Sequence, residues 1–447
     1  MILSLAGVLL ASILLLCFFN IRLGAALYLA YALLVPINDI TLGPLHLGEN
    51  LVKFALVAAL FFDFKVRHHY KFSWKLLMPL VWYYVIELFL IPFQSETSFG
   101  WMLNSWRVDI MRTMFGAFVV YNVMTVYPDS KKLFRNSLLI SILIAGVYGL
   151  FLTTTGGINP YILEIVSETG SNLDAESLTE YFSDDNRLFG RISSVFRHPM
   201  SFGLFIGLAF VYIWSVRKRI HKWIFFPLLV ILGLDSLFCG VRSCIGGLVV
   251  AVAYYLIFSK NLKIGIAALI IGLVGYNIVL QLPEVSDYLG SITDVHGTKS
   301  DVGGSSIEMR LDQLNGCFKE IQNCPFVGKG YGWVAYYKAN FGDHPVILAF
   351  ESLIFVVLCN NGFLGIIIWI FLALSIYKNN HKYLSSASVV ADSLLIFYIA
   401  YACITGEYGY MPYFLLFYIC LAMESQPESV EVSKKNTKKQ VAVNTFQ

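Results

Sequence analysis

Charged residues are scarce in this sequence. Asp, Glu, Lys and Arg make up 14% of its 447 residues, whereas apolar residues make up 57%, and the mean hydropathy is +0.68. A soluble domain carries about 25% charged residues, so this composition excludes an ordinary soluble protein. Since the charges stand in short clusters between apolar runs, the net charge of +3 gives no indication of nucleic-acid binding.

Metal-binding and nucleotide-binding motifs are also missing. The eight cysteines include no C-x-x-C pair. Cys317 and Cys324 share one polar segment. The sequence leaves two alternatives for them, a disulfide or two free thiols. The glycines of G-K-G-Y-G-W (328–333) do not predict a phosphate loop, because such a loop follows a strand and opens onto a helix. We therefore expect no metal and no other cofactor.

Long apolar runs are what the chain has in abundance. A helix needs about 20 apolar residues to cross about 30 Å of hydrocarbon. We predict an all-α polytopic membrane protein with about 12–13 transmembrane helices and a large extracytoplasmic loop that contains short helices. The predicted spans are 1–19, 23–37, 51–64, 76–92, 110–127, 136–155, 200–216, 223–238, 243–258, 264–282, 346–377, 390–406 and 409–423, with a break near Asn360, Asn361 and Gly362.

Basic residues predict the sidedness of these spans. Loops rich in Lys and Arg stay cytoplasmic, and under alternation most of the basic loops fall on one side, so two polar segments face outward. The predicted segments are N-terminal helices 1–155, a first extracytoplasmic loop 156–199, central helices 200–282, the large extracytoplasmic loop 283–345, C-terminal helices 346–424 and a disordered cytoplasmic tail 425–447.

Arginines cluster at the outward ends of two predicted spans. Arg191 and Arg197 come directly before Pro199 opens one span, and Arg242 stands at the mouth of another. A charge at the hydrocarbon boundary is costly unless it faces a polar cavity or a partner. Two structural explanations of these arginines remain open. The side chains snorkel to lipid headgroups, or Arg242 pairs with Asp235.

The large loop contains one predicted amphipathic helix. Ser305 and Glu308 form a capping box, apolar residues then recur every three or four positions to about Gln322, and Pro325 stops the helix. Arg310 lies near the helix N-terminus, where the helix dipole disfavours a cation. Either a nearby Asp or a bound anion would explain it.

Four further residues are candidates for chemistry or binding. His344 lies where the loop re-enters the membrane, and histidine can take a proton from an attacking hydroxyl near neutral pH. Glu351 follows about two helical turns later as an acid inside a predicted span. Tyr331 and Trp333 either stack on sugar rings or belong to an interfacial aromatic belt. A solvated loop histidine is the alternative for His344.

Several motifs together carry a family resemblance. The order S-S-x-x-x-R (305–310), C-P-F-V-G-K-G-Y-G (324–332), D-H-P-V-I-L-A-F-E-S (343–352) and N-G-F-L-G (361–365) resembles the outer-loop region of the O-antigen polymerase and O-antigen ligase superfamily. R-I-S-S-V-F-R-H-P-M-S-F-G (191–203) and V-R-S-C (241–244) also resemble its motifs. The resemblance covers residues 187 to 377. It implies a fold of twelve or more helices with a large periplasmic loop.

The resemblance also implies roles for individual residues. Arg242 matches the family's arginine at a span start, Arg310 that of the loop helix and His344 the loop histidine, whereas Arg191 and Arg197 flank a motif. Family arginines hold the diphosphate of an undecaprenyl-linked glycan, and the histidine activates the acceptor. The ligases often have Asn after the histidine, where this chain has Pro345. The pair Glu351–Ser352 is more similar to the polymerases.

These observations lead to an expected function. We expect a metal-independent inverting glycosyltransferase of a bacterial inner membrane that polymerises a surface polysaccharide, with its site facing the periplasm. Expected partners are the undecaprenyl-diphosphate-linked glycan, an acceptor glycan, the lipid bilayer and a chain-length regulator protein. An O-antigen ligase acting on lipid A core and a peptidoglycan polymerase are alternatives. A transporter or flippase would place charges deep within broken helices. Here the charges cluster at one membrane face, and Arg112 and Glu87 are exceptions.

Overall fold

The computed structural model describes residues 2–35, 40–42, 45–47, 49–156, 158–169, 191–259, 307–347, 350–384, 387–406 and 409–426. These residues are mostly helical, and β1 (Ile40–Leu42) and β2 (Leu45–Leu47) form a short antiparallel hairpin with Thr41 opposite His46. The N-terminal helices are α1 (Ile2–Phe19), α2 (Ile21–Leu34), α3 (Glu49–Phe61), α4 (Met78–Leu90), α5 (Phe99–Ile110), α6 (Gly116–Val126), α7 (Ser130–Thr153) and α8 (Pro160–Thr169). The remaining helices are α9 (Pro199–Val216), α10 (Lys222–Phe238), α11 (Arg242–Phe258), α12 (Ile307–Glu320), α13 (Trp333–Phe341), α14 (Leu353–Tyr383), α15 (Ser388–Thr405) and α16 (Met411–Ser425).

Four of the described helices are long and apolar enough to cross a membrane, namely α7, α9, α14 and α15. Shorter apolar helices accompany them at 4–19, 21–34, 78–93, 242–258 and 411–425. Large apolar side chains point outward from several of these helices: Phe89 is 72% exposed and Ile257 71%. In water such a surface would associate or aggregate. The helices are compatible with a membrane protein.

Helix bounds agree closely with most predicted spans, but two differ. The predicted span 346–377 begins too early, because α14 starts at Leu353 and Glu351 precedes the helix. The predicted span 110–127 lies inside a continuous helix that begins at Phe99, passes through a π-helical segment (Met111–Phe115) and ends at Val126. Hydropathy missed its first half because Asn104, Arg107 and Asp109 lower the local average. The predicted span 264–282, Ser305 of the capping box and the tail beyond Gln426 lie outside the described residues.

The predicted break in the long C-terminal helix is confirmed. Gly362 has φ 61° and ψ −155° inside α14. There the N–H groups of Phe363 and Leu364 donate to the carbonyls of Pro325 and Phe326, at 2.9 and 3.0 Å, rather than to their own helix. The outer segment between α12 and α13 thus satisfies the backbone groups that the break exposes, which is the condition for irregular backbone inside a helix bundle.

Both sides of this contact need glycine. A Cβ on Gly362 would lie 2.4 Å from the carbonyl oxygen of Pro325, and one on Gly328 would lie 2.5 Å from the backbone nitrogen of Asn361. Gly328 also has a positive φ of 69°. Two backbones therefore approach each other directly, because neither carries a side chain between them.

The helices have two distinct ends, which we call the loop end and the basic end. At the loop end, α12 docks on the C-terminus of α15, where Arg310 donates a 2.7 Å hydrogen bond to the carbonyl of Ile404. At the basic end, the turns before α7 and α10 meet the C-terminus of α16, where Arg135 pairs with Glu424 at 3.1 Å. Helix α16 connects the two ends, and its side chains from Phe414 to Met423 are buried.

Candidate functional site

A cavity of about 320 Å³ opens at the loop end, between the outer segment and the helices below it. Its walls come from α4, the continuous helix α5–α6, the start of α13, both sides of the break in α14 and the start of α16. Its polar lining includes a guanidinium, an ammonium, a carboxylate, three tyrosines and two side-chain amides: Arg112, Lys338, Asp109, Tyr83, Tyr84, Tyr331, Asn360 and Asn361.

Arg112 is one of the two cations that line this cavity. It lies in the π-helical segment that separates α5 from α6, and such segments are frequent at functional sites. Gly409, in the turn between α15 and α16, packs on it: a Cβ there would lie 2.8 Å from the guanidinium carbon, and φ is +77°. The turn therefore approaches the guanidinium through a backbone that only glycine adopts easily.

Asp109 and Tyr331 join the helix to the outer segment across the cavity. The Tyr331 hydroxyl donates a 2.9 Å hydrogen bond to Asp109 Oδ2, and its backbone N–H donates to Gln94 Oε1 at 3.0 Å. Burial first, and then the charge of Asp109, raise the pKa of Tyr331 well above 10. The hydroxyl therefore stays protonated and serves as a donor at every pH at which the protein works.

Gln94 holds the outer segment from below. Its Nε2 donates to the carbonyl of Val327 at 2.7 Å, and the Thr97 hydroxyl donates to the carbonyl of Lys329 at 3.0 Å. These bonds join parts of the chain more than 230 residues apart. The turn between α4 and α5 thus supports the G-K-G-Y-G segment through side-chain hydrogen bonds.

Glu87 lies under the break in α14. Asn361 Nδ2 donates a 2.8 Å hydrogen bond to its Oε2, whereas its Oε1 is buried without a hydrogen-bond partner among the described residues. The Glu87 side chain is completely buried. An acid inside a predicted span is a functional candidate by default, and Glu87 bonds to Asn361 of the cavity wall.

Glu351 acts electrostatically on both Arg310 and Lys338, and Lys338 lines the cavity. Burial lowers the pKa of Arg310, and the charge of Glu351 opposes this effect. Burial likewise lowers the pKa of Lys338, while Asp343 and Glu351 oppose it. One carboxylate thus acts on both cations, so the structure brings together the predicted Arg310 and Glu351 and adds Lys338, which lines the cavity.

His344 is buried away from this cavity. Its Nδ1 accepts backbone N–H groups of Val346 and Ile347, at 3.1 and 2.9 Å, and its Nε2 lies 3.3 Å from Glu320 Oε1. Because Nδ1 accepts, Nε2 carries the proton and donates to Glu320. The histidine is 5% exposed and differs from the solvated loop residue of the alternative interpretation. Its role as a base stays a prediction, which requires Nδ1, the nitrogen without a proton, to release these two N–H groups.

Glu320 is itself tied to the outer segment. Burial would raise its pKa, but the hydrogen bonds from Lys329 and His344, and then their charges, outweigh burial and lower it. Lys329 Nζ lies 2.6 Å from Glu320 Oε2. This pair fixes the C-terminus of α12 on the G-K-G-Y-G segment.

Three predicted arginines lie around the ends of α9 and α11. Arg191 is partly buried and Arg197 is exposed. Burial, and next the charge of Arg191, lower the pKa of His198 to about 4. Arg242 is the first residue of α11. The alternative pairing of Arg242 with Asp235 is not observed, because neither Asp235 oxygen has a hydrogen-bond partner among the described residues.

The helices that carry Arg242 and Arg310 both contact the C-terminal part of α15. Ile404, whose carbonyl accepts from Arg310, has its side chain 4.0 Å from a Cβ placed on Gly246, one turn after Arg242. Helix α9 joins the same end, since the Tyr401 hydroxyl donates to the carbonyl of Met200. Helices α9, α11 and α12 therefore all contact α15, whereas a cluster of the four arginines stays a prediction.

The two predicted stacking residues are largely buried. Tyr331 is 7% exposed and lines the cavity, so part of its ring surface is available there. Trp333 is 5% exposed and packs against Tyr337 and Phe350, with ring centroids 5.1 and 6.1 Å apart. A stacking role for either residue stays a prediction.

The remaining predictions concern cysteines and metals. All eight cysteines are free, and Cys317 contacts Cys359 of α14 through its thiol, so Cys324 is not its neighbouring thiol. Within the described ranges, no group of three or more His, Cys, Asp or Glu side chains is placed to hold a metal ion.

Sequence reasoning missed several residues of the cavity. Asp109, Lys338 and Gln94 have no distinctive spacing, and only contacts distant in sequence bring them together. Arg112 did carry a signal, since a cation inside an apolar run is costly without a function. A search of protein families finds no match for this chain, and a search of curated proteins finds none either.

Proposed function

We propose that this chain is a membrane glycosyltransferase that polymerises a surface polysaccharide from undecaprenyl-diphosphate-linked repeat units, at the periplasmic face of a bacterial inner membrane. The observation that carries the proposal is the cavity at the loop end. Arg112, Lys338, Asp109 and three tyrosines line it, together with Tyr331 and Gly332 of the segment whose motifs resemble the polymerase and ligase superfamily. Cations, a carboxylate and aromatic rings are the groups that a diphosphate-linked sugar requires.

The cations bind the leaving group in this proposal. Guanidinium groups contact phosphate oxygens through several donors at once and stay charged. As the bond between the anomeric carbon and the diphosphate oxygen breaks, negative charge grows on the diphosphate. Arg112 and Lys338 in the cavity, together with Arg310, stabilise that charge in the transition state. The lipid diphosphate is also bound by three further arginines, Arg242, Arg191 and Arg197.

The acceptor hydroxyl attacks the anomeric carbon from the opposite face. His344 takes its proton on Nδ1, the ring nitrogen that carries none, once Nδ1 has released the N–H groups of Val346 and Ile347, and the new glycosidic bond forms with inversion. Glu351 keeps Arg310 and Lys338 in place through its charge. Asp109 binds sugar hydroxyls inside the cavity, and Tyr331 orients Asp109 through the hydrogen bond between them. The ring of Tyr331 forms one wall for the sugar.

Two other functions use the same residues differently. A ligase would run the same displacement with lipid A core as acceptor, and the cavity offers no feature that distinguishes the two acceptors. A transporter is favoured by one specific observation, the break at Gly362 beside the buried Glu87. Broken helices with a buried acid form substrate sites in many transporters.

Deletion of the gene separates these functions, with surface glycans examined on a gel. We expect lipid capped with a single repeat unit, which indicates a lost polymerase. Long chains that are not attached to lipid A core would indicate a lost ligase. Unchanged glycans together with a defect in solute uptake would reject both transferase proposals. Complementation with the wild-type chain must restore the original pattern.

A further inference from the structure

Two cysteines face each other where α12 packs on α14 at the loop end. Cys317 of α12 and Cys359 of α14 are completely buried and belong to the same apolar cluster. Their thiols share a hydrogen bond. One residue further along α12, the ring of Phe318 lies 6.3 Å from the ring of Phe363 on α14, measured between centroids. The two helices therefore pack against each other at this level, with two thiols in the contact.

This contact lies beside the outer segment. The carbonyl of Cys359 accepts the backbone N–H of Lys329 at 2.9 Å. Cys317 lies about one helical turn before Glu320, which contacts both Lys329 and His344. A bond that fixes Cys317 to Cys359 would therefore also hold the outer segment on α14, directly before the break at Gly362.

Packing by itself accounts for a single buried cysteine, because this side chain behaves as a small hydrophobe. Two thiols in mutual contact can do more, since a disulfide forms when two such sulfurs close to about 2.05 Å. The redox compartment decides which state persists. Disulfides persist in the bacterial periplasm and are rare in the cytosol, and the proposed function assigns the loop end to the periplasm.

We propose that Cys317 and Cys359 form a disulfide bond that fastens α12 to α14. This inference rests on the periplasmic position of the loop end in the proposed function. Each thiol loses its hydrogen and the two sulfurs form the new bond. The two protons and two electrons reduce the disulfide of an oxidant, a protein disulfide or oxidised glutathione, to two thiols.

Burial determines when this bond forms and why it lasts. Both side chains have no exposed surface once α12 lies on α14, so an oxidant reaches them before the two helices pack. The packed apolar cluster afterwards shields the bond from soluble thiols. A bond between sequence positions this far apart also restricts the unfolded chain, which stabilises the folded state.

Peptide mapping of the full chain tests the bond directly. Cells are quenched in acid, thiols are blocked with N-ethylmaleimide in denaturant, and the purified chain is digested with trypsin without reductant. We expect a linked peptide pair that contains Cys317 and Cys359 and separates after reduction. Cys324→Ala is the matched control on the outer segment and should keep this pair. A link between Cys317 and Cys324 would overturn the proposal.

Thermal unfolding in detergent tests what the bond does. Cys317→Ala and Cys359→Ala each remove it, so each should lower the unfolding midpoint by about 5 °C or more. The double variant should unfold at nearly the same temperature as either single variant, because the bond can be lost only once. Cys324→Ala should unfold as the wild type does. Losses that add in the double variant would show that the thiols only pack, and would contradict the bond.

A topology reporter separates failure of this inference from failure of the proposed function. Alkaline phosphatase, which is active only in the periplasm, is fused after Gln447. If the reporter is inactive and both thiols carry the blocking group, the disulfide alone is overturned. An active reporter with both thiols blocked would reject the sidedness on which both proposals depend. A linked pair, together with unchanged surface glycans after gene deletion, would support the disulfide and reject the glycosyltransferase.

Discussion

The hydroxyl of Tyr331 donates a 2.9 Å hydrogen bond to Oδ2 of Asp109, and this contact joins the outer segment to the helix that carries Arg112. The two residues are 222 positions apart in sequence. The same hydrogen bond therefore holds the outer segment over the cavity and fixes the position of the Asp109 carboxylate.

Substitution of Tyr331 by Phe removes this bond but keeps the ring. A hydrogen bond to a charged group contributes about 1.5–3 kcal/mol, so we expect chain extension to fall by about tenfold or more while the protein remains in the membrane. Chain length on gels and the amount of protein in membranes are the measurements. Tyr336→Phe is the matched control, since no hydrogen bond of its hydroxyl to a described residue accompanies its ring contact with Trp101. An equal effect of both substitutions would contradict this role for Asp109.

Substitution of Arg112 by Gln tests the cation inside the cavity. Removal of a group that stabilises developing charge costs about 10²–10³ in rate, so polymer should be lost while single-repeat lipid accumulates. Arg107→Gln is the control on the same continuous helix, because Arg107 is exposed and bonds only to Asn104 in the described structure. Normal chain length in Arg112→Gln would remove this residue from the site.

Substitution of Gly362 by Ala tests the break in α14. Its Cβ would meet the carbonyl of Pro325 at 2.4 Å, and its backbone conformation strains any other residue. Strain of this kind costs about 1–3 kcal/mol, so the midpoint of thermal unfolding in detergent should fall clearly. Gly100→Ala, where nothing lies within 4 Å of the new Cβ, should leave it unchanged. Equal stability of the two variants would show that the two backbones do not meet.

Substitution of His344 by Asn separates its two roles. The Asn oxygen accepts the backbone N–H groups of Val346 and Ile347 as Nδ1 does, so the turn should remain folded. Asn cannot take a proton, and we therefore expect chain extension to be lost with protein levels unchanged. Chain extension kept in His344→Asn and lost only in His344→Ala would assign the residue to the turn alone.

The stability of the protein should depend on His198 between pH 6.5 and 4. The folded pKa of about 4 lies below the usual 6.5, so the unfolded state binds more protons in this window. Stability is complete above pH 6.5 and falls by up to about 3 kcal/mol as the pH drops through 4. Thermal unfolding of wild type and His198→Asn, compared at each pH, isolates this contribution. Parallel curves would show that the histidine is not buried beside Arg191.

The sequence alone determined the helices and their interruptions. Long apolar runs predict helices, and such runs are recognised from residues that are neighbours along the chain. The break at Asn360–Asn361–Gly362 was also legible, since two amides and a glycine interrupt an otherwise apolar run. The amphipathic helix before Pro325 was confirmed for the same reason, as its apolar period is local.

Only the tertiary structure decided which polar residues meet. Arg112 was visible as a cation within an apolar run, but Asp109, Gln94 and Lys338 have partners far away in sequence. The sequence singled out His344 but not its partners. Only the structure shows that Glu320 and two backbone N–H groups contact its ring nitrogens. Hydropathy is a property of neighbours along the chain, whereas hydrogen bonds and charge contacts depend on how helices pack. The cavity under the outer segment exists because two glycines allow that segment to enter the break in α14.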